Sequence, residues 1–394
     1  MDLDQLAALR TPEGSAALDA AARVAGGDPL AAAAALRSAG MPPALAAAAL
    51  TQAELRRRAV GKFGPAAAGM FLTRAGLEQA TRGAVAARRA RRLRAAGVRT
   101  LADLGCGLGA DALAAARAGI RVYGVEADPV TAAMAAANAE AAGLAELFTV
   151  ECGDATAFDV SRVDGVFCDP ARRKAGTGRR VFDPNAYSPP WDFVVGLAAR
   201  VPYTVVKVAP GIDHALIPAG AEAEWVSADG DLVEAALWCG RLAEVPRRAT
   251  LLRGAAAHAL TGSGDAEAPV GPVRRFLYDP DPAVVRAHLV AELAGALDAT
   301  LADPSIAYLY ADAPAATPFG RCLEVTDVLP FSLKRLRALL RDRRVGRVEI
   351  LKRGSALEPE KLRRDLRLAG DEAASLVLTR VAGAPTALVC RPVG

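Results

Sequence analysis

From Leu3 to about Ala96 apolar residues return every three or four positions, in a background rich in Ala, Leu and Arg. The pattern breaks at Gly26-Gly27-Asp28-Pro29, at Met41-Pro42-Pro43 and at Gly64-Pro65. It predicts a helical domain over 1–96. Beyond it the rhythm changes to short apolar runs, "RTLADLG", "RVYGVEAD", "ELFTVECGD", "VDGVFCDP" and "YTVVKVAPG". Helical stretches such as "ADALAAARAG" and "PVTAAMAAANAEAAG" separate several of them. Strands that alternate with helices predict an α/β domain over 97–245, with a parallel, doubly wound sheet and ligands at the carboxyl ends of its strands. Two neighbouring runs, "AEWVSADGD" and "LVEAALWCG", predict an antiparallel pair at one edge.

The stretch "GAAAHALTGSGDAEAPVGPV" is rich in Gly, Ala and Pro and reads as irregular. It opens a third region, 246–394, of mixed α and β character. There "SIAYLYAD" and "GRCLEVTDVLP" precede the basic helix "SLKRLRALLRDRR". Next come "GRVEILKRG", "PEKLRRDLRLAG" and a closing hairpin, "ASLVLTRVAGAPTALVCRPV". No repeat recurs along the chain.

With 394 residues, 52% of them apolar, the chain can fill more than one core. A net charge of +4 permits a polyanionic partner without demanding one, and clustering counts for more. Clusters stand at Arg56-Arg57-Arg58, at "RRARRLR" and at "RRKAGTGRR". Six cysteines, scattered without a CxxC pair, argue against disulfides and against a zinc site, so no metal is expected. No signal peptide is read at the start, and the Ala-rich stretches at 31–36 and 44–50 are too short to span a bilayer. The expected setting is cytoplasmic, with no membrane partner.

"LADLGCGLGADAL" places Gly105, Gly107 and Gly109 at a strand-to-helix turn, where the backbone can approach a ligand closely. By itself this also fits a dinucleotide fingerprint, with Glu126 as the ribose acid. The neighbours decide. Asp103 lies near the end of the first strand, Glu126 follows "VYGV", Asp154 follows "FTVECG" and Asp169 follows "VFC". An acidic rim repels a pyrophosphate and attracts a ligand carrying an ammonium and a sulfonium, S-adenosylmethionine. Glu126 is placed for the ribose hydroxyls, Asp154 for the adenine amino group, and Gly105 to Gly107 for the methionine part.

These stretches resemble the motifs of the class I S-adenosylmethionine-dependent methyltransferases: "ADLGCGLG" the first, "GVEAD" the second, "CGDA" the third and "FCDPA" the fourth. The resemblance covers about 98–240 and implies a Rossmann-like methyltransferase domain. Upstream, "KFGPAAAGMFLTRAGLEQATRGAVA" resembles a segment of RNA methyltransferases, among them the cap trimethylguanosine synthases, that closes over the cofactor. That likeness implies that Thr73, Gln79 and Thr81 touch the methionine end. A helix cap and a solvated polar face explain them equally well.

Methyl transfer needs the acceptor's lone pair in line with the methyl and sulfur, so the acceptor belongs at the end of the fourth strand. Asp169 and Pro170 stand there. The sequence Ser188-Pro189-Pro190-Trp191 matches the four-residue signature of amino methyltransferases, but it lies too far downstream. It reads as a loop or helix start, with Trp191 a candidate for stacking on substrate. Ala171 and Arg172 depart from that signature too, and "DPAR" looks closer to the Asp-Pro-Pro-Arg of tRNA guanine-N1 and RNA uracil-C5 methyltransferases. Arg172 and Arg173 are then candidates for holding phosphates. Cys168, inside an apolar strand, reads as structural rather than nucleophilic. Lys207 is one of six lysines and interrupts a buried strand, which makes it a catalytic candidate. Its strand resembles that of ribose 2'-O-methyltransferases, whose tetrad maps onto Lys62, Asp169, Lys207 and Glu234.

The helical leader, "FCDPARR" and "LEVTDVLPFSLKRLRALLRDRRVGRVEILKRG" together resemble a bacterial methyltransferase family carrying a THUMP-like domain. That implies a C-terminal α+β domain and an RNA substrate, with tRNA the leading partner. On the basic helix, Lys334, Arg335, Arg337, Arg341, Arg343 and Arg344, with Lys352 and Arg353 beyond it, form either a phosphate-binding stripe or a solvated face. The leading expectation is an RNA methyltransferase acting on tRNA at a base nitrogen. The alternatives are ribose 2'-O-methylation, a small-molecule or protein substrate, and a non-catalytic RNA-binding module.

Overall fold

The computed structural model describes residues 1–170 and 188–393. The chain forms two compact units, the first comprising Met1–Ala209, Asp213–Ala221 and Ala236–Glu244, the second Pro210–Ile212, Glu222–Ala235 and Val245–Gly394.

The first unit opens with α1 (Leu3–Leu9), α2 (Pro12–Val24), α3 (Pro29–Ser38), α4 (Pro43–Phe63), α5 (Arg74–Gln79) and α6 (Gly83–Ala95). Asp2, Thr11 and Asp28 cap the first three, each side chain accepting a bond from a first-turn amide, and proline opens α2, α3 and α4. The breaks read from sequence fall between these helices. A Cβ on Gly14 would stand 2.1 Å from the carbonyl oxygen of Ala8, so only glycine lets α2 lie against the end of α1.

Next come β1 (Thr100–Leu104), α7 (Ala110–Arg117), β2 (Arg121–Glu126), α8 (Pro129–Ala141), β3 (Phe148–Cys152), β4 (Gly165–Cys168), α9 (Trp191–Arg200) and β5 (Tyr203–Val208). The strand order is β3-β2-β1-β4-β5, parallel throughout. Chain order reverses between β1 and β4, and at such a switch point a parallel sheet opens a crevice beyond its carboxyl ends. One apolar core runs from Leu6 and Leu18 of the leading helices through Leu72 and Leu93 to Leu113, Met134 and Phe167.

In the second unit, β6 (Glu222–Ala228) and the first half of β7 (Asp231–Gly240) are adjacent, as their sequence predicts. They do not form the edge. β6 is followed by β8 (Arg247–Arg253), parallel to it, and then by β9 (Ala256–Gly262), antiparallel to β8. All of β9 comes from the segment expected to be irregular. Its alternation is hidden because Ala and Gly occupy it, while pairing with the buried β8 supplies the hydrogen bonds that propensity does not.

The remaining elements are β10 (Phe276–Pro280), α10 (Pro282–Arg286), α11 (Val290–Leu297), β11 (Thr300–Leu301), β12 (Leu309–Ala311), β13 (Gly320–Pro330), α12 (Leu333–Asp342), β14 (Val345–Lys352), α13 (Pro359–Leu366), β15 (Glu372–Val381) and β16 (Ala384–Pro392). Seven strands form a mixed sheet, β11-β12-β10-β13-β16-β15-β14, in which β15 and β16 are the expected hairpin. Leu336 and Leu340 of α12 pack with Leu362 and Leu366 of α13 and with Leu376 and Leu378 of β15. No helix among the described residues is long and apolar enough to cross a membrane.

Candidate cofactor and acceptor site

The order β3-β2-β1-β4 sets Asp154, Glu126, Asp103 and Asp169 side by side at the carboxyl ends of neighbouring strands. Their environments differ. Glu126 ends β2 and accepts bonds from the amides of Gly107 and Asp128, each at 3.0 Å, so it braces the glycine turn from below. Asp154 follows β3, is exposed, and accepts from the Thr156 amide at 2.8 Å, which lowers its pKa.

Asp103 is the outlier. It is 1% exposed, and neither carboxylate oxygen has a hydrogen-bond partner among the described residues. Burial pushes its pKa well above the ordinary aspartate value, and repulsion from Asp111 and Asp169 adds to the shift. A buried carboxylate with no partner costs several kcal/mol unless something answers it. The chemistry that answers it is a cation in the crevice, which fits the ammonium of S-adenosylmethionine.

Gly105, Gly107 and Gly109 have φ of 88°, 56° and 82°, a left-handed region that side chains with a Cβ rarely adopt. A Cβ on Gly105 would lie 3.8 Å from the Asp169 carbonyl oxygen, whereas one on Gly109 would collide with the Phe148 ring at 2.7 Å. At Gly105 the left-handed backbone, not a lack of room, calls for glycine. Gly109 serves the packing of α7 on the sheet.

At that turn the Lys207 ammonium is 2.6 Å from Oδ2 of Asp169, their side chains 11% and 30% exposed. Pro170, which follows, is buried. Cys168 is fully buried, and burial raises its thiol pKa far beyond the ordinary range, in keeping with a structural cysteine. Lys62 donates to the carbonyls of Leu77, Glu78 and Ala80 at 2.7, 2.9 and 3.0 Å and so caps the end of α5. Its pKa is lowered, first by burial and then by Lys207 and Arg82. Glu234 is buried on β7 in the second unit.

In the segment before β1, the three residues named from resemblance have different surroundings. Thr81 is 4% exposed, and its hydroxyl donates to Asp111 at 2.6 Å. Gln79 is exposed at the end of α5, and Thr73 caps the start of that helix by accepting from Gly76. Trp191 is 7% exposed and opens α9, so Ser188 to Trp191 is a helix start, with the ring packed inside rather than presented for stacking. Arg172 and Arg173 lie outside the described residues.

Sequence reasoning missed Arg89 and Asp111. Arg89, inside the basic run at 88–94, is 3% exposed, pairs with Asp111 and lies over the Phe167 ring at 4.5 Å. Arg92 of the same run lies over Trp238 at 4.1 Å and donates to the Leu242 carbonyl. Much of that run therefore faces inward. The spacing Arg88-Arg89-Arg91-Arg92 around Ala90 and Leu93 puts two of the four on the core side of α6, a cue the charge count concealed.

Comparison with known proteins adds what geometry alone cannot. The Methyltransferase domain family matches residues 101–173, THUMP domain-like matches 320–392, and a domain of unknown function matches 2–59. An uncharacterized S-adenosylmethionine-dependent methyltransferase of Mycobacterium tuberculosis, from strains CDC 1551 and H37Rv, is 37% identical over 358 residues, covering 86% of this chain and 95% of its own. The chain belongs to the S-adenosylmethionine-dependent methyltransferases. The methyltransferase also shares its fold with a crystal structure from Porphyromonas gingivalis W83, with a TM-score of 0.73, 23% identity and coverage of 90% of this chain and 92% of the other. Its cofactor is S-adenosylmethionine.

Proposed function

We propose that this methyltransferase acts on RNA, with tRNA the leading substrate, and transfers the methyl group to a base nitrogen. Asp169 carries the reading. Oδ2 is held by Lys207, while Oδ1 has no protein donor among the described residues and is available to an acceptor N–H. S-adenosylmethionine supplies an electrophilic methyl group on a sulfonium. Around it Asp103 would answer the ammonium, Glu126 the ribose and Asp154 the adenine amino group. Gly105, Gly107 and Gly109 would let the backbone come close. Asp169 would orient the acceptor nitrogen and take up its proton as the new bond forms, with Lys207 fixing the carboxylate's direction.

Support for RNA comes from the THUMP-like match and from the surface of α12. Arg337 donates to the Asp365 carbonyl, and Arg343, Arg344 and Arg353 pair with Asp327, Asp371 and Asp279. Lys334, Arg335 and Arg341 are exposed and form no ion pair among the described residues, so they are free to meet phosphates. In this reading Arg172 and Arg173 add contacts near the acceptor, and the division into 1–96, 97–245 and 246–394 separates a leader, a catalytic region and an RNA-holding region.

A second reading, ribose 2'-O-methylation, is favoured by one observation, the Lys207 to Asp169 pair. Against it, the Lys62 ammonium is saturated by three carbonyls. Labelled methyl transfer to bulk tRNA from a strain lacking the enzyme, followed by nucleoside mass spectrometry, separates the two. Label on a base supports the proposal, label on ribose replaces it with the second reading, and no label in any RNA fraction overturns both.

A further inference from the structure

Between α4 and α5 the chain runs through Met70, Phe71 and Leu72, all buried and outside any strand. Buried backbone in such a stretch needs partners for its N–H and C=O groups. Side chains supply them. Gln52 of α4 accepts from the Leu72 N–H and donates to the Leu72 C=O, each at 2.8 Å. Asn138 of α8 does the same for Phe71, at 2.6 and 3.2 Å, and Arg56 donates to the Met70 carbonyl at 2.8 Å. Gln52 and Asn138 are 0% and 2% exposed.

Asn138 has a second donation. It goes to the carbonyl of Leu108 at 3.0 Å, the residue between Gly107 and Gly109. The same chain segment meets that loop twice more. A Cβ on Gly76 would stand 2.6 Å from Cδ1 of Leu108, and Thr81 donates to Asp111 in the first turn of α7. Lys62 of α4 holds the far end of α5 by its three carbonyl bonds. From α4 to the glycine loop there is thus an unbroken series of contacts.

We propose that α4 and segment 70–82 are a positioning frame for S-adenosylmethionine, with Asn138 the residue that passes the frame's placement to the cofactor loop. A loop with three left-handed glycines has more conformational freedom to lose than any other backbone, and binding must supply that ordering if the protein does not. Asn138 fixes its middle carbonyl in advance. The leading region, matched by a domain of unknown function over 2–59 and containing Gln52 and Arg56, thereby acquires a role in cofactor affinity. Asn138 acts through the loop and touches no reacting atom.

The coupling is reciprocal, so occupancy of the cofactor site must in turn tighten the segment. Hydrogen exchange on the full chain, with and without S-adenosylhomocysteine, tests this with no substitution: the amides of Phe71 and Leu72 are expected to slow by about tenfold or more. Calorimetry with the same ligand follows on Asn138→Ala and Lys62→Met, folding being checked by circular dichroism. A rise in Kd of about tenfold for Asn138→Ala, and of several-fold for Lys62→Met, supports the frame. If either substitution folds and binds with the native Kd, or if exchange at Phe71 and Leu72 ignores the ligand, the proposal is overturned. A purely structural Asn138 lowers the melting temperature and leaves both readouts unmoved.

Discussion

The Lys207 ammonium and Oδ2 of Asp169 lie 2.6 Å apart, half-shielded from water, directly beyond the end of β4. One carboxylate oxygen is thereby committed, and in the proposed mechanism the other takes the acceptor's proton. Asp169→Ala is expected to lower kcat for RNA methylation by about a hundredfold or more, the usual contribution of a positioned acid or base. S-adenosylhomocysteine affinity by calorimetry should stay within a few-fold of native. Native kcat in this variant removes Asp169 from the chemistry.

Glu126 accepts from two backbone amides, one of them in the glycine turn. Glu126→Ala strands both donors and removes the acid proposed to meet the ribose, so cofactor affinity should fall by about tenfold or more. Calorimetry checks it, and a native Kd would count against the cofactor placement.

The Asp103 shift has a pH signature. Its carboxyl titrates above the ordinary value of 3.8 because burial, and then Asp111 and Asp169, disfavour the charge. Between the ordinary value and the raised one the ligand-free fold holds a proton that the unfolded chain releases, so this group's contribution to stability falls as pH rises through that window. Asp103→Asn removes the penalty, and should raise the melting temperature of cofactor-free protein more at neutral pH than at acid pH. The same substitution should weaken binding of the cationic cofactor. If Asp103 answers the ammonium as proposed, it gives up its proton on binding, and affinity of the unsubstituted enzyme is expected to increase with pH across the window.

Arg89 and Asp111 form an ion pair whose side chains are only 4% and 14% exposed. Removing one partner of such a pair leaves a buried charge unanswered, at a cost of about 3 to 5 kcal/mol. Arg89→Ala should lose stability on that scale in a denaturant titration, and the exposed Arg91→Ala less than about 0.5 kcal/mol.

Among the described residues Lys334 and Arg341 of α12 form no ion pair, whereas Arg343 just beyond it pairs with Asp327. The double substitution Lys334→Glu with Arg341→Glu should weaken RNA binding and flatten its salt dependence by roughly one unit of slope per lost phosphate contact. Arg343→Glu, where Asp327 already neutralises the native charge, should do far less. Filter binding across a salt series reads both.

The alternation of strands and helices was legible because the inner parallel strands are buried on both faces and read as apolar runs, as in Gly165 to Cys168. The acids at the strand ends were legible for the opposite reason, each being a polar residue where an apolar run stops. Arg89 and Asn138 were not. A buried arginine inside a basic run and a buried asparagine inside an alanine-rich helix look like surface residues until the elements packed against them are known. β9 was missed because its residues have no strand preference of their own, and neighbouring β8 decides the matter.

Gly105 backs onto the carbonyl of Asp169, so in the proposed mechanism one wall of backbone serves both the donor's berth and the acceptor's. A Cβ there would meet that carbonyl at an ordinary 3.8 Å, so what calls for glycine is the φ of 88° and not a lack of room. A substitution that strains this shared turn would therefore disturb both berths at once.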